Sequence, residues 1–330
     1  MRFMGGLLVA AAALTLLACG DKSQSVSGVT AQSAQVQSTP AGPAKRDFKV
    51  ALVMKTLTNP FFVEMEKGAR RAEKEGGVTL LVKTATQETS IEQQIQIIEE
   101  MVQAKVDAIV IAPGDSQRVV PALKKAQDAG IKVVNIDNRL DADAMKKSGM
   151  SEVPFISVDN EAAAYQSARF IAEQATKPTS AAILEGIRTA DNAQKRRAGA
   201  ERAFKENAKI KLVAQETANW KIDEAYEVSK SIFKAHPDIR LVFCANDMMA
   251  IGVMKFIQES GRKDVLLAGF DALNEAKAAV KDGKMQVTVD QQAAEQGYQG
   301  VQAALKALRG EAVPTEIKVD ARLITKDSAD

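Results

Sequence analysis

The chain is poor in the residues that carry most metal and covalent chemistry. Among 330 residues there is one histidine, His236, and there are two cysteines, Cys19 and Cys244. His236 precedes Pro237 and reads as a surface turn at a helix end. No H-E-x-x-H, G-x-S-x-G or G-x-x-x-x-G-K-[ST] occurs anywhere, so zinc, nucleophilic and P-loop sites lack their parts. No metal or cofactor is therefore expected. An excess of charge is missing as well: the formal net charge is +2, and no basic block interleaves with aromatic residues. That argues against nucleic acid as the principal partner.

Long apolar runs are also scarce. The N-terminal "MRFMGGLLVAAAALTLLACGDKSQ" has one, from Gly5 to Leu17, behind the positive Arg2 and ahead of small residues. It is too short to span a membrane comfortably and reads as a signal peptide over 1–18. Its ending, "LLAC", resembles a bacterial lipobox, in which cleavage leaves Cys19 as the lipid-modified first residue. Residues 20–46 are rich in Ser, Gln, Ala and Gly without apolar periodicity, so 19–46 reads as a lipid-anchored flexible tether. With Cys19 acylated, Cys244 has no disulfide partner and is expected to be a buried structural thiol.

What is present is an ordinary globular balance, 46% apolar and 26% charged, with length enough for two domains. From Asp47 onward, β-rich runs alternate with helical spacing. Strands are expected at 49–54, 78–83, 107–112, 132–137 and 155–159, and again at 181–186, 210–215, 240–245, 265–270 and 286–290. Helices lie between them, for example 192–207, 222–235 and 246–260. Ile91, Ile95, Ile98 and Val102 fall on one helical face. Such alternation means parallel sheets with helices on both faces, and ten strands suit two doubly wound domains better than one sheet.

Ligands of open α/β sheets bind beyond the carboxyl ends of the strands, where the winding reverses. The segments that follow the strands are "KTLTNPFF", "APGDS", "DNRLD", "VDNE", "EGIRTADN", "ETANW", "CAND", "GFD" and "DQQ". They hold Asn59, Asp115, Asp137, Asn138, Arg139, Asp159, Asn160, Asn246, Asp247, Asp271 and Gln291, with Phe61, Phe62, Trp220 and Phe270. Trp220 is the only tryptophan. A monosaccharide suits this mixture. Its hydroxyls both donate and accept, which Asp, Arg, Asn and Gln can match in pairs, and its C–H faces lie well on aromatic rings.

Several residues have a plainer role available. Asn59 and Pro60 make a helix start, and neighbouring Phe61 and Phe62 cannot both face one core at 3.6 residues per turn. Phe270 is equally compatible with core at a strand end, and Asp247 reads as the N-cap of helix 246–260 rather than a ligand contact. Glu185 and Asp159 read as solvated or structural.

"KTLTNPFF", "VVNIDNRL", "QKRRAG", "ANW", "CANDMMAIGV", "GFD" and "VTVDQ" together resemble, in order, the ribose- and allose-binding proteins of bacterial ABC importers, from Asp47 to about Lys326. The resemblance implies a type I periplasmic binding protein: α/β, with two doubly wound parallel-sheet lobes joined by a three-strand hinge. Crossovers near Val158, Asp290 and Asp320 would divide it into 47–157 plus 292–319 and 158–291 plus 320–330. It further implies sugar contacts from Lys55, Asn59, Phe61, Phe62, Asp137, Asn138, Arg196, Trp220, Asn246, Phe270, Asp271 and Gln291. Asn138 stands where ribose binders have arginine, which leaves open whether Arg139 substitutes. Lys55, Trp220 and "CAND" follow the allose type and Phe62 the ribose type, so an aldose is implied without its identity. An inositol or another polyol would meet the same groups.

The implied partners are the monosaccharide, the permease of an ABC importer and, in a chemotactic variant, a chemoreceptor. The protein would be a monomer on the periplasmic side of the envelope, touching the membrane only through its lipid. Two other classes fit less well. A glycosidase needs room for a leaving sugar beside its two carboxylates, and a sugar-responsive repressor needs a helix-turn-helix where this chain has a signal and a tether.

Overall fold

The computed structural model describes residues 47–328. The signal peptide, the tether and Cys19 lie outside them.

The chain begins with a strand buried on both sides, β1 (Lys49–Met54). Its period of two sends Val50, Leu52 and Met54 into one apolar cluster and Ala51 and Val53 into another. There follow α1 (Pro60–Gly76), β2 (Thr79–Thr84), α2 (Ile91–Gln103), β3 (Ala108–Ile111), α3 (Val120–Asp128), β4 (Lys132–Ile136), α4 (Ala142–Ser148) and β5 (Phe155–Ser157). The second series is α5 (Asn160–Ala172), β6 (Thr179–Glu185), α6 (Asp191–Glu206), β7 (Ile210–Thr217), α7 (Ile222–Ala235) and β8 (Ile239–Cys244). It continues with α8 (Asp247–Glu259), β9 (Leu266–Ala268), α9 (Asn274–Lys281) and β10 (Val287–Asp290), before α10 (Ala293–Leu308), β11 (Glu316–Lys318) and β12 (Arg322–Thr325).

Two six-stranded sheets result, ordered β11-β5-β4-β3-β1-β2 and β12-β10-β9-β8-β6-β7. All pairs are parallel except β10 with β12. The winding therefore reverses between β1 and β3 in one sheet and between β6 and β8 in the other, where an open α/β sheet receives ligands. The chain passes from one sheet's layer to the other three times. After β5, helix α5 packs on α6, β9 and β10; after β10, helix α10 returns to α1, β3 and β4; and β11 and β12 sit in different sheets. Each sheet with its helices is a lobe.

Local signals account for most element ends. Asn59 caps α1 by accepting from the Phe61 N–H at 3.0 Å, with Pro60 in the first turn and Gly77 closing the helix at φ 62°. Three expectations need correction. The buried face of α2 is Ile91, Gln94, Ile97, Ile98 and Met101, with Ile95 and Val102 only partly buried. The face is turned because Gln94 is buried to bridge two backbone groups: its Nε2 donates to Ala112 O at 3.0 Å and its Oε1 accepts from Gly114 N at 2.9 Å. Apolar periodicity cannot see a buried glutamine. The strand expected at 265–270 is shorter: β9 runs Leu266–Ala268, so "GFD" follows it directly, with Asp271 and Ala272 at φ values of 121° and 52°. Short, partly exposed β11 and β12, at the edges of the two sheets, were not anticipated as strands.

Asp247 is also not the cap of α8. Asn246 is, its Oδ1 accepting from Met249 N at 2.9 Å. Asp247 is fully buried behind it and accepts from Leu273 N at 2.9 Å and from the Thr288 hydroxyl at 2.8 Å. Cys244 ends β8 as a buried free thiol, which burial pushes well above the ordinary range.

Candidate ligand-binding cleft

The first lobe's contribution starts where β1 ends. Lys55 leaves the strand, Asn59 turns the chain into α1, and the next two residues are both buried aromatic rings. Phe61 and Phe62 are 3% and 2% exposed and meet edge to face, centroids 5.1 Å apart at 82°. Asp137 follows β4 at φ 62°, a conformation that aspartate tolerates better than most residues, and its N–H donates to Ile156 O at 3.0 Å. The Lys55 ammonium stands 2.8 Å from Asp137 Oδ2 and 4.0 Å from Glu88 Oε2. Glu88, beyond β2, accepts from Asn59 Nδ2 at 2.9 Å. Burial raises the Glu88 carboxyl above its ordinary value, against the pull of Lys55 and Asn59.

The second lobe answers with Arg196, on the inner face of α6. Its Nε donates to Asn160 Oδ1 at 2.8 Å, Nη1 to Ala245 O at 2.9 Å and Nη2 to Gln291 Oε1 at 3.2 Å. Asp271 Oδ1 lies 3.6 Å from Nη1 and accepts from Gln291 Nε2 at 2.6 Å. Burial pushes the Asp271 carboxyl well above its ordinary value, against the attraction of Arg196. Burial also pulls the guanidinium down, but arginine starts so high that it stays charged. Trp220 faces Lys55 and Arg196, whose charged groups are 6.0 and 5.6 Å from its ring.

Lys55, Asn59, Phe61, Phe62, Glu88, Asp137, Asn192, Arg196, Trp220, Asn246, Asp271 and Gln291 line one space of about 230 Å³. A larger groove of about 1310 Å³ opens beside it, sharing Phe61 and Asp271, but it is bordered by exposed Pro60, Glu64 and Asn274 and gathers no such set of buried polar groups. The small cleft is almost dry: Lys55, Asp137, Arg196 and Gln291 are 3%, 2%, 3% and 1% exposed. Of its buried polar atoms, Asp137 Oδ2 meets only the Lys55 ammonium, and Asn192 Oδ1 and Trp220 Nε1 have no hydrogen-bond partner among the described residues. Buried polar groups are usually paired, and all three lie in the lining of this space.

The lobes also meet beside it. Ala190, before α6, has no side chain that can cap a helix. The first lobe supplies the acceptors instead: Asp191 N donates to the Ser116 hydroxyl at 2.9 Å and Asn192 N to Asn138 Oδ1 at 3.1 Å.

Ten of the twelve side chains expected at a sugar thus come together. The other two are placed differently. Asn138 is committed to the α6 N-terminus and, through Nδ2, to Pro113 O at 3.0 Å. Phe270 lies beneath the guanidinium, with Arg196 Cζ 3.8 Å from its ring centroid, and is fully buried outside the lining. Arg139 cannot stand in for Asn138: it pairs with Glu316 at 3.0 Å over the Phe155 ring, near the surface. Asp115, Asp159 and Asp247 serve backbone turns and caps. Glu88 and Asn192 were missed. Asn192 lay in the quoted "EGIRTADN", and the post-strand rule applied to β2 as to the other strands would have reached Glu88.

Among the described residues no three His, Cys, Asp or Glu side chains are grouped to hold a metal ion. The arrangement is one of recognition: acceptors and donors alternate around a small space walled by aromatic rings.

The periplasmic binding protein domain model matches residues 50–312. The D-ribose/D-allose-binding protein of Pseudomonas aeruginosa is 39% identical, over 80% of this chain and 83% of its own length. The D-allose-binding periplasmic protein of Escherichia coli is 33% identical, over 83% and 89%. Among solved structures, an ABC transporter periplasmic solute binding protein from Actinobacillus succinogenes with bound D-allose superposes with a TM-score of 0.81 at 38% identity, covering 86% of this chain and 99% of that one. Fold, cleft and relatives agree, and the chain belongs to the periplasmic binding protein family.

Proposed function

We propose that this chain binds a monosaccharide, an aldose such as D-allose or D-ribose, between its lobes and delivers it to the permease of an ABC importer. The observation that carries this reading is the pairing of two buried charged clusters, Lys55–Asp137–Glu88 from one lobe and Arg196–Asp271–Gln291 from the other, around one small space with aromatic walls. Each cluster offers acceptors and donors side by side, as vicinal hydroxyls require. The names of the relatives, one for both sugars and one for allose, support the same class.

A ligand touching both clusters binds the closed arrangement better than an open one, and closure follows from that difference in affinity. The lobes of the proposal are 47–157 with 292–319 and 158–291 with 320–330, in keeping with the three passages between the sheets. Transport as a monomer from the periplasmic side, anchored through a lipid on Cys19, completes the reading. A chemoreceptor would be a second client of the same closed form.

Isothermal titration of the purified protein with D-allose, D-ribose and myo-inositol tests it. Micromolar or tighter binding of an aldose is expected. Binding of the polyol alone would replace the aldose by an inositol, and heat from none of a wider monosaccharide panel would end the proposal.

A further inference from the structure

Gly186 directly follows β6 and lies against the ring of Trp220. A β-carbon placed on it would stand 2.0, 2.1 and 2.2 Å from Cζ2, Cη2 and Cε2 of Trp220. Non-bonded carbons do not approach so closely. The φ of Gly186 is not among the left-handed values, so left-handed backbone strain is not what calls for glycine here. Glycine is needed here for the space its missing side chain leaves.

Trp220 is constrained from the other side. It sits at φ 68° and Asn219 before it at 47°, two consecutive non-glycine residues in the left-handed region. A bulky residue there is strained and persists only where its surroundings over-determine it. The surroundings do so. The Thr217 hydroxyl donates to Gly186 O at 2.7 Å and accepts from Asn219 N at 3.3 Å. Asn219 Nδ2 donates to Glu224 at 2.7 Å, Ala218 N to Glu185 O at 3.0 Å, and Asn246 Nδ2 to Trp220 O at 3.4 Å. The turn is thus tied to the same strand end against which the indole lies.

We infer that Gly186 is a positioning residue for ligand binding: its lack of a β-carbon seats the six-membered ring of Trp220 against the end of β6 and so sets that wall's distance from Lys55, Arg196 and the phenylalanines. Any side chain at 186 drives the indole into the ligand space or out of its turn. The inference rests on Trp220 being a wall of the sugar site, as proposed above.

The test uses the full chain and three variants, Gly186→Ala, Trp220→Phe and the double substitution. Trp220 is the only tryptophan, so emission reports its surroundings directly. Gly186→Ala is expected to shift the emission maximum of the ligand-free protein and to weaken the aldose by about tenfold. In the Trp220→Phe background the same change should cost about twofold or less, since phenylalanine lacks the colliding outer ring atoms. Equal losses in the two backgrounds, or unchanged emission and affinity, would overturn the inference. Should the parent bind no sugar, the functional proposal fails by itself. The four melting temperatures then decide the seating: a loss relieved by Trp220→Phe supports it, and additive losses overturn it.

Discussion

Arg196→Lys keeps the charge and removes the geometry, which makes it the sharpest probe of how the second lobe's cleft is built. The guanidinium donates in three directions in one plane, to Asn160, Ala245 and Gln291, and lies 3.8 Å from the centroid of Phe270. These partners come from α5, the end of β8 and the crossover into α10. One ammonium can serve one or two of them and cannot stack as a plane. Bonds to a charged group contribute about 1.5–3 kcal/mol each; with one retained and Asp271 still attracted, the net loss should be about 2–4 kcal/mol. At about 2 °C per kcal/mol for a protein of this size, the ligand-free melting temperature should fall by about 4–8 °C. Calorimetry without ligand measures this, and titration with the aldose should show affinity down by more than about tenfold. A melting temperature within about 1 °C of the parent would refute the reasoning, because the three bonds would then be worth no more than bonds to water.

Other outcomes can be measured on the same chain. Asp247, with its carboxyl pushed up to about 7 chiefly by burial, holds a proton in the folded chain that the unfolded chain releases near pH 4. Its contribution to stability therefore falls as pH rises from about 4 to 7, by a few kcal/mol at most. Relative to the parent, Asp247→Asn should gain in melting temperature across that window, and parallel pH curves would reject the assignment. Trp220→Ala should weaken the aldose by about 30-fold or more, while His236→Ala, at the partly exposed end of α7, should leave titration curves unchanged. Nitrophenyl glycosides should not be turned over by purified protein; reproducible release of nitrophenol would replace binding by hydrolysis. Cys19→Ser should move the protein from the membrane to the soluble fraction of fractionated cells, and unchanged sedimentation would remove the lipid anchor.

Most of this organisation was legible because it is written in local terms. The double burial of "VALVM", the cap and proline at Asn59–Pro60 and the alternation of periods two and 3.6 need only near neighbours to be read. The residue types at the strand ends were legible for the same reason, since the topology of a wound sheet brings every strand's carboxyl end to one edge. Which side chain at that edge turns inward was not. Asp137 and Asn138 are adjacent and chemically alike, yet the left-handed φ at Asp137 aims one at Lys55 and leaves the other to cap a helix of the opposite lobe. Phe270 became the bed of Arg196, because a guanidinium held by three acceptors needs a flat support that only the assembled lobe supplies. Gln94 and Glu88 were buried for partners that local pattern does not reveal, two backbone groups beyond β3 and the amide of Asn59. Sequence by itself determined most of the elements, their winding and the stock of polar and aromatic groups at the cleft. Tertiary structure alone decided which of them face the ligand space, since direction depends on turn dihedrals and on partners far away along the chain.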